Sequence, residues 1–556
     1  MLSLLTAHII ITACCFWSGS LFYKLISKEN VQRPMIFYLI SGLISFTILA
    51  QIIVLFFPIG SIPKLVLVAI LAASVVFRWN DCKHLFKKVL LEFAGCSPLS
   101  LTLFFITWVV ILLINAGPTM MDDTESYHIQ SIKWIQEYGS VPGLVNLHER
   151  FGFNSSWFSS VALFSFSSKT TGGFTVLNSV LSMWLCFWLI SKYNQYQKEN
   201  NTQAAFAILI IFIAGLVFWP LIRGNAATTN YDFITTVTVL ILFTEIFLSE
   251  KNSPSLEWMI WPVYLLTVRI INFPLLALSL FAFILFIKQK SFRTTFLTVI
   301  CCLLLIVPFL IRNIIIAGFP FYPATYFDLT NVDWKPDPLL TERILEYIKY
   351  YNRVSTTYLE IEQTKALGTN WIRPWFKYLF FFDKVLVLAG LAGILFTCVK
   401  LFIQKINYSK LIIPGLMIAW LICWFIVSPD PRFVYGILLF GIFLLACHLI
   451  SFTKNFGAIN FLSNVLMILL LAGLSYYIVS KPWKQKEYRN WLTPIQLPQP
   501  PVKEIVIEGI TFRIPGLINN NWNARCYGTD LPCLYKIDQR LKARGKNIRS
   551  GFHLEK

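Results

Sequence analysis

Apolar runs of about 20 residues recur along most of this chain, and no other feature restricts its fold so tightly. A segment crossing ~30 Å of hydrocarbon must satisfy its own backbone hydrogen bonds, and a single helix does so. Such runs fall at residues 4–24, 35–57, 64–79, 100–116, 171–190, 203–221, 231–249, 257–271, 273–288, 295–316, 384–402, 411–427, 433–450 and 458–479. The expected architecture is an all-α polytopic membrane protein of about 14 transmembrane helices. With 56% hydrophobic and only 13% charged residues, the 556-residue chain is too apolar for soluble globular domains. The first run lacks a basic flank and a small-residue cleavage site, so it is read as a retained span.

A formal charge of +19 raises the question of a nucleic-acid partner. The basic residues exclude one, because they punctuate short loops at positions 24–33, 78–88, 192–198, 251, 288–293, 400–410 and 454 instead of covering one surface. Threading the spans in order puts these loops on one side, which the positive-inside rule makes the cytoplasm. The 117–170 loop, the 222–230 turn, the 317–383 loop, the SPDPRF turn and the C-terminal tail then share the other face. The run at 156–170 is too short to cross and is expected as an interfacial helix. The pair at 257–288 is interrupted by Asn272 and Pro274 near Arg269. The chain thus divides into five regions: N-terminal helices over 1–99, a transmembrane core over 100–320 containing the 117–170 loop, a loop at 321–383, C-terminal helices over 384–480, and a tail at 481–556.

Ten of the twelve cysteines lie in or beside apolar runs, where Cys serves as a small hydrophobe. Cys526 and Cys533, in CYGTDLPC, are a disulfide candidate if the tail lies in an oxidising compartment. EIVIEGITFRIPG alternates around Glu508-Gly509 as a hairpin does, and the tail is expected to form a small α/β cap.

The densest collection of carboxylates and imidazoles runs from Met121 to Phe158. Asp122 followed by Glu125 has capping-box spacing, which leaves Asp123 without a structural role. A carboxylate near apolar walls can have its pKa raised and act as a general base. His128 and His148 are read as hydrogen-bonding or orienting groups, since their spacing makes no metal site, and Lys133, Arg150 and Asn154 join them as candidate substrate-binding residues. Arg269, Arg312 with Asn313, and Arg432 lie in or at the ends of apolar runs. Each can snorkel to headgroups or serve as a phosphate ligand. Asp232 suits a helix N-cap, a cation or a hydroxyl-bearing substrate. Tyr322, Tyr326, Trp334, Trp371 and Trp375 suit an interfacial belt or a stacking surface for a sugar ring.

A long loop that leaves a span with an acidic motif, continues as an amphipathic helix and returns to the membrane resembles the GT-C superfamily of polytopic glycosyltransferases. That pattern covers mainly residues 100–320. DDTESYHIQSIKWIQEYG, VPGLVNLHERFGFNSSWF, IRNIIIAGFPFYP and CYGTDLPC are more closely similar to an uncharacterised bacterial GT-C-like membrane-protein family, from about residue 100 to the C-terminus. The acidic pair is Asp-Asp where related transferases often carry Asp-Glu, and three spans precede the first GT-C-like helix. The resemblance implies a multi-pass protein of the bacterial inner membrane, with active site and C-terminus extracytoplasmic. It would transfer a sugar from a polyprenyl-phosphate donor to a glycan, lipid or protein acceptor. Asp123 would be the base, with Asp122 second and Glu125 beside them, and Arg269, Arg312 and Arg432 would hold the donor phosphate. No cofactor is assigned, and a divalent metal is left open. A polysaccharide polymerase or ligase acting on lipid-linked glycans is the alternative enzyme. A lipid-linked-sugar flippase is the alternative from another class, against which stands the absence of a visible internal repeat.

Overall fold

The computed structural model describes residues 1–27, 33–222, 224–249, 254–354, 360–403, 408–451, 456–518 and 525–555. Of the basic loop positions, Lys28, Lys251, Lys405 and Lys454 lie outside them. The helices are α1 (Leu2–Ile26), α2 (Met35–Phe56), α3 (Ser61–Phe77), α4 (Trp79–Ala94), α5 (Pro98–Ala116), α6 (Ile129–Glu137), α7 (Ser156–Phe164), α8 (Thr171–Lys198), α9 (Thr202–Ile211) and α10 (Tyr231–Leu248). They continue as α11 (Leu256–Val268), α12 (Leu276–Lys288), α13 (Phe292–Ala317), α14 (Pro338–Val354), α15 (Ile361–Ala366), α16 (Ile372–Tyr378), α17 (Phe381–Ile403), α18 (Tyr408–Val427), α19 (Tyr435–Ser451) and α20 (Phe456–Lys484).

Among the described residues, eleven helices are long and apolar enough to span a membrane, or twelve if α3 and α4, bent by 92°, count as one crossing. This is fewer than the expected fourteen, for local reasons. At Arg78 the chain turns from α3 into the charged α4. Arg269 leaves the helical conformation and stops α11 after 13 residues. The apolar part of α18 runs only from Ile412 to Val427.

The centre of the bundle is α8, buried on all sides along almost its whole length. Around it pack α1, α2, α5, α7, α9 and α10. Polar groups inside the bundle find one another: Trp108 donates to His8 Nδ1 (3.1 Å), and His8 Nε2 and Asn115 both meet the Ser179 hydroxyl at 2.8 Å. Because Trp108 occupies Nδ1 as an acceptor, the His8 proton sits on Nε2 and points to Ser179.

Glycine lets α1 and α2 touch backbone to backbone. A Cβ on Gly42 would lie 1.8 Å from the Cys15 carbonyl oxygen, and one on Gly19 would lie 1.9 Å from that of Tyr38. Gly42→Val is therefore expected to abolish monodisperse protein in detergent size-exclusion. Gly473→Val in α20, where an added Cβ meets nothing within 4 Å, should elute as wild type.

The 156–170 run does not form the expected interfacial helix. Residues Ser156–Leu163 of α7 are buried within the protein. Two hydroxyls here bond to neighbours, Ser160 of α7 with Thr47 at 2.8 Å and the N-cap Ser155 with the Val268 carbonyl at 2.8 Å.

One end of the bundle carries a second apolar core. Tyr127, Trp134, Leu144 and Phe151 of the 117–170 loop join Ile316, Tyr322 and Ile344, and also Phe512, Leu534 and Phe552 of the tail. The tail thus completes a core begun by two loops. Its described residues contain no α-helix after α20, which corrects the α/β expectation: they form two antiparallel pairs, β1 (Val502–Ile507) with β2 (Ile510–Pro515) and β3 (Leu541–Ala543) with β4 (Phe552–Leu554). The expected hairpin is present, with Glu508 and Gly509 both at positive φ (50° and 83°) as a type I′ turn requires. Cys526 and Cys533 are disulfide-bonded.

Candidate functional site

The site begins where α5 ends. Gly117 packs against the ring of Tyr488, leaving no room for a side chain, and seven residues later the chain enters a π-helical turn, Thr124–His128, that leads into α6. Insertions of this kind re-aim side chains and are frequent at functional sites. Here the turn sends neighbouring acidic side chains to different partners.

Asp123 points into a cluster of arginines. Its Oδ1 accepts from Arg150 Nη1 and its Oδ2 from Arg432 Nη1, each at 3.3 Å. Arg150 is presented by a 3₁₀ turn, Glu149–Gly152, whose N-cap is His148: its Nδ1 accepts the Arg150 backbone N–H at 3.0 Å. Arg432 comes from the turn Pro431–Val434, capped by Asp430, which also holds Arg432 Nε at 2.9 Å. Asp232 lies 3.7 Å from the same Nε and is ion-paired to Arg269. Asn230, not Asp232, caps α10, so the Asp232 carboxylate is left for the two arginines.

The break between α11 and α12 serves this arrangement. Asn272 bonds Thr235 (3.2 Å) and the Leu265 carbonyl (2.8 Å), and Arg269 at the break lies 3.5 Å over the Phe433 ring. Three arginines and three aspartates, drawn from segments more than 300 residues apart, thus form one balanced network. About a quarter of the Asp123 side-chain surface remains open to the outside.

Burial alone would raise the Asp123 pKa, but the facing guanidinium groups, Arg432 foremost, outweigh it and hold the carboxyl below the ordinary carboxylate range. The sequence-based expectation is the opposite, because it supplies the apolar walls without the arginines. His128 is buried against Tyr127, Phe158 and Tyr231, with Nδ1 3.1 Å from the Thr229 hydroxyl. Burial lowers its pKa to about 3. His148, also buried, is lowered to about 4.

Both imidazoles are therefore neutral in the folded protein, while an unfolded chain protonates them below their ordinary value of 6.5. The unfolded state then binds more protons, so stability is full above pH 6.5 and declines as pH falls toward 4, by at most ~1.4 kcal/mol per pH unit for each histidine. Thermal unfolding between pH 7 and pH 4 should show this decline, and His128→Gln with His148→Asn should flatten it. An unchanged slope in that variant would assign the acid lability elsewhere.

Asp122 and Glu125 do not form the expected capping box, since the helical turn has no side-chain cap. Both turn to Arg525 of the tail: Nη2 lies 2.8 Å from Asp122, and Nη1 is paired with Glu125, which also accepts from the Thr119 hydroxyl. Lys133 donates to the backbone carbonyls of Thr529 (2.7 Å) and Gly528 (3.3 Å) inside the disulfide loop, and so anchors the tail. Arg312 is buried in α13 and paired with Asn154, with no carboxylate partner among the described residues. Asn313 caps the following turn through the Pro320 carbonyl at 2.6 Å.

Asp123, His128, Arg150, Asp232, Arg269 and Arg432 therefore converge, whereas Asp122, Glu125, Lys133, Asn154, Arg312 and Asn313 have other tasks. Sequence reasoning passed over Asp430 and Arg525. The only hint of the first was its place in the SPDPRF turn, and of the second its position beside Cys526. Among the described residues no three His, Cys, Asp or Glu side chains are placed to hold a metal ion.

Fold and site together define a polytopic membrane protein with a charge-rich site beneath a disulfide-bonded cap at one end of its helical bundle. Residues 1–439 match the family described as Domain of unknown function (DUF8201), and the chain belongs to that family. The match takes in Asp123, Arg150, Asp232, Arg269 and Arg432 and stops before the tail that carries Arg525. No curated protein and no solved structure matches the chain.

Proposed function

We propose that the protein is a membrane glycosyltransferase that moves a sugar from a polyprenyl-phosphate donor to a glycan, lipid or protein acceptor, on the extracytoplasmic side of a bacterial inner membrane. The observation that carries this reading is Asp123, partly open and bracketed by Arg150 and Arg432. Its lowered pKa keeps it ionised at neutral pH. In the proposed step the acceptor oxygen bonds to the anomeric carbon, the bond from that carbon to the donor phosphate breaks, and the acceptor proton passes to Asp123. Negative charge develops on the departing lipid phosphate. A weak base suffices because the hydroxyl becomes acidic only as its oxygen bonds to carbon, and guanidinium groups already in place stabilise the leaving anion. Arg432 and Arg150 are the cations beside the base, and Arg269 supports Arg432 through their shared Asp232. The disulfide in the tail and the basic loops between spans support the sidedness.

The test uses the purified full chain in lipid nanodiscs with polyprenyl-phosphate-linked monosaccharides. Release of polyprenyl phosphate with transfer or hydrolysis of the sugar is the expected result. Consumption only of diphosphate-linked oligosaccharides would replace this reading with a polymerase or ligase, and consumption of neither would end it. A periplasmic readout from a reporter fused after Lys556 is expected, and a cytoplasmic one would overturn the sidedness.

A further inference from the structure

Helix α4 lies at the end of the bundle away from Asp123. The far ends of the helices it touches meet the 117–170 loop and the tail: the Ser140 N–H donates to the Val54 carbonyl near the end of α2 (3.1 Å), and the Leu2 N–H at the start of α1 donates to the Trp491 carbonyl (2.9 Å). Helix α3 starts at that same end, where Lys64 Nζ donates to the Ser165 carbonyl at 2.8 Å. Its 17 residues rise ~25 Å before the chain bends by 92° into α4.

One side of α4 then meets helix ends in succession. Asp81 is paired with Lys24 in the last turn of α1 (2.7 Å), Lys88 lies 4.3 Å over the Tyr38 ring, and Glu92 accepts from the N–H of Met35, the first residue of α2 (3.1 Å). Just beyond α4, the Ser97 N–H donates to Asn194 Oδ1 near the end of α8 (2.8 Å). A helix laid across the ends of three spans runs along the membrane surface, not through it.

The other side of α4 is free and divided lengthwise. Trp79, Phe86 and Leu90 form an apolar row in which each side chain is more than half exposed. Beside it run Lys83 and Lys87, both exposed and without an ion pair among the described residues, the Lys83 ammonium 5.8 Å from the Trp79 ring. Both carboxylates of α4, on Asp81 and Glu92, are engaged on the packed side, so none opposes the lysines.

The apolar row continues a surface that already faces lipid. Helix α3 buries none of its residues, and its exposed Ile62, Leu65 and Val76 lead through Phe77 to Trp79 at the bend. That continuity places the row at the edge of the hydrocarbon, which a partner arriving from water does not reach. An apolar row for acyl chains beside a basic row for phosphates is the pattern of a helix lying in the interface, and each lysine there attracts anionic lipid.

We propose that the free face of α4 is a docking surface for anionic phospholipids of the adjoining leaflet, with headgroup phosphates against Lys83 and Lys87 and acyl chains against Trp79, Phe86 and Leu90. The proposal is independent of the transferase reading, since α4 lies at the other end of the bundle.

Photocrosslinking tests it. Phe86 is replaced by benzoylphenylalanine in the full chain, which is reconstituted in bilayers of equal phosphatidylcholine and phosphatidylglycerol, irradiated and weighed. Lipid adducts are expected, with phosphatidylglycerol at least about threefold over phosphatidylcholine, and high salt should reduce that excess. Lys83→Gln with Lys87→Gln should bring the adducts to the bilayer ratio, whereas Lys83→Arg with Lys87→Arg should keep the excess. All four changes are at exposed positions, so the variants should elute as wild type in detergent size-exclusion, and Leu90 is a second site for the label if the first variant does not fold. Adducts in bilayer proportion, an excess unchanged in the folded glutamine variant, or no lipid adduct at either site overturns the proposal. So does a label that, in native membranes, attaches to a second copy of the chain or to another protein instead of lipid.

Discussion

Asp123→Asn should lower the rate of sugar transfer by ~10²–10⁴-fold, the usual contribution of a positioned general base, with little change in thermal stability. The amide matches the carboxylate in shape but cannot take the acceptor proton. Its structural cost is small because Arg432 keeps Asp430 and Asp232, while Arg150, with 30% of its side chain exposed, can turn to solvent. A variant retaining full activity would remove Asp123 from the mechanism.

The pH profile supplies a second check on the same residue. With its pKa below the ordinary 3.8, Asp123 stays ionised from neutral pH down through pH 5, and the neutral His128 adds no titration near pH 6.5. The acid side of kcat/KM should therefore be flat between pH 5 and pH 7. A fall with a midpoint near 6 would point to a different base.

Arg525→Ala should release the tail. Arg525 is only 7% exposed and is the cation that both Asp122 and Glu125 face. Glu125, at 17% exposure, carries most of the effect, while Asp122, at 70%, is largely screened by water. Removing one partner of a largely buried pair strands the other, and a loss of about 3 kcal/mol is expected. The readouts are a lower unfolding temperature and faster proteolysis within the C-terminal tail. Glu125→Gln should behave like Arg525→Ala, Asp122→Asn should do little, and Arg525→Lys should recover only part because an ammonium cannot fork between two carboxylates. Equal proteolysis of wild type and Arg525→Ala would show that Lys133 and the shared apolar core hold the tail alone.

Asp122 and Asp123 show how far local reasoning reaches. The spacing of Asp122 and Glu125 is that of a capping box, and in a regular helix they would make one. The π turn and an arginine 400 positions away compete for the same oxygens and win. Asp123 stands out in the sequence because no local role remains for it, and it does face the centre of the network. The expected direction of its pKa is reversed by Arg150 and Arg432, whose approach depends on how the chain returns upon itself. Arg312 illustrates the converse: its position resembles those of Arg269 and Arg432 in sequence, yet it meets Asn154 instead of the charged network.

By itself the sequence determined the features that short-range pattern dictates: a helical membrane bundle from the length of its apolar runs, a hairpin from alternation around Glu508-Gly509, and a break beside Arg269 from Asn272 and Pro274. Tertiary structure alone decided which charges meet. Apolar burial is satisfied by the composition of each segment, whereas an ion pair requires two side chains a few ångströms apart. In Asp123–Arg432 and Asp122–Arg525 that distance is set by the packing of every helix between them.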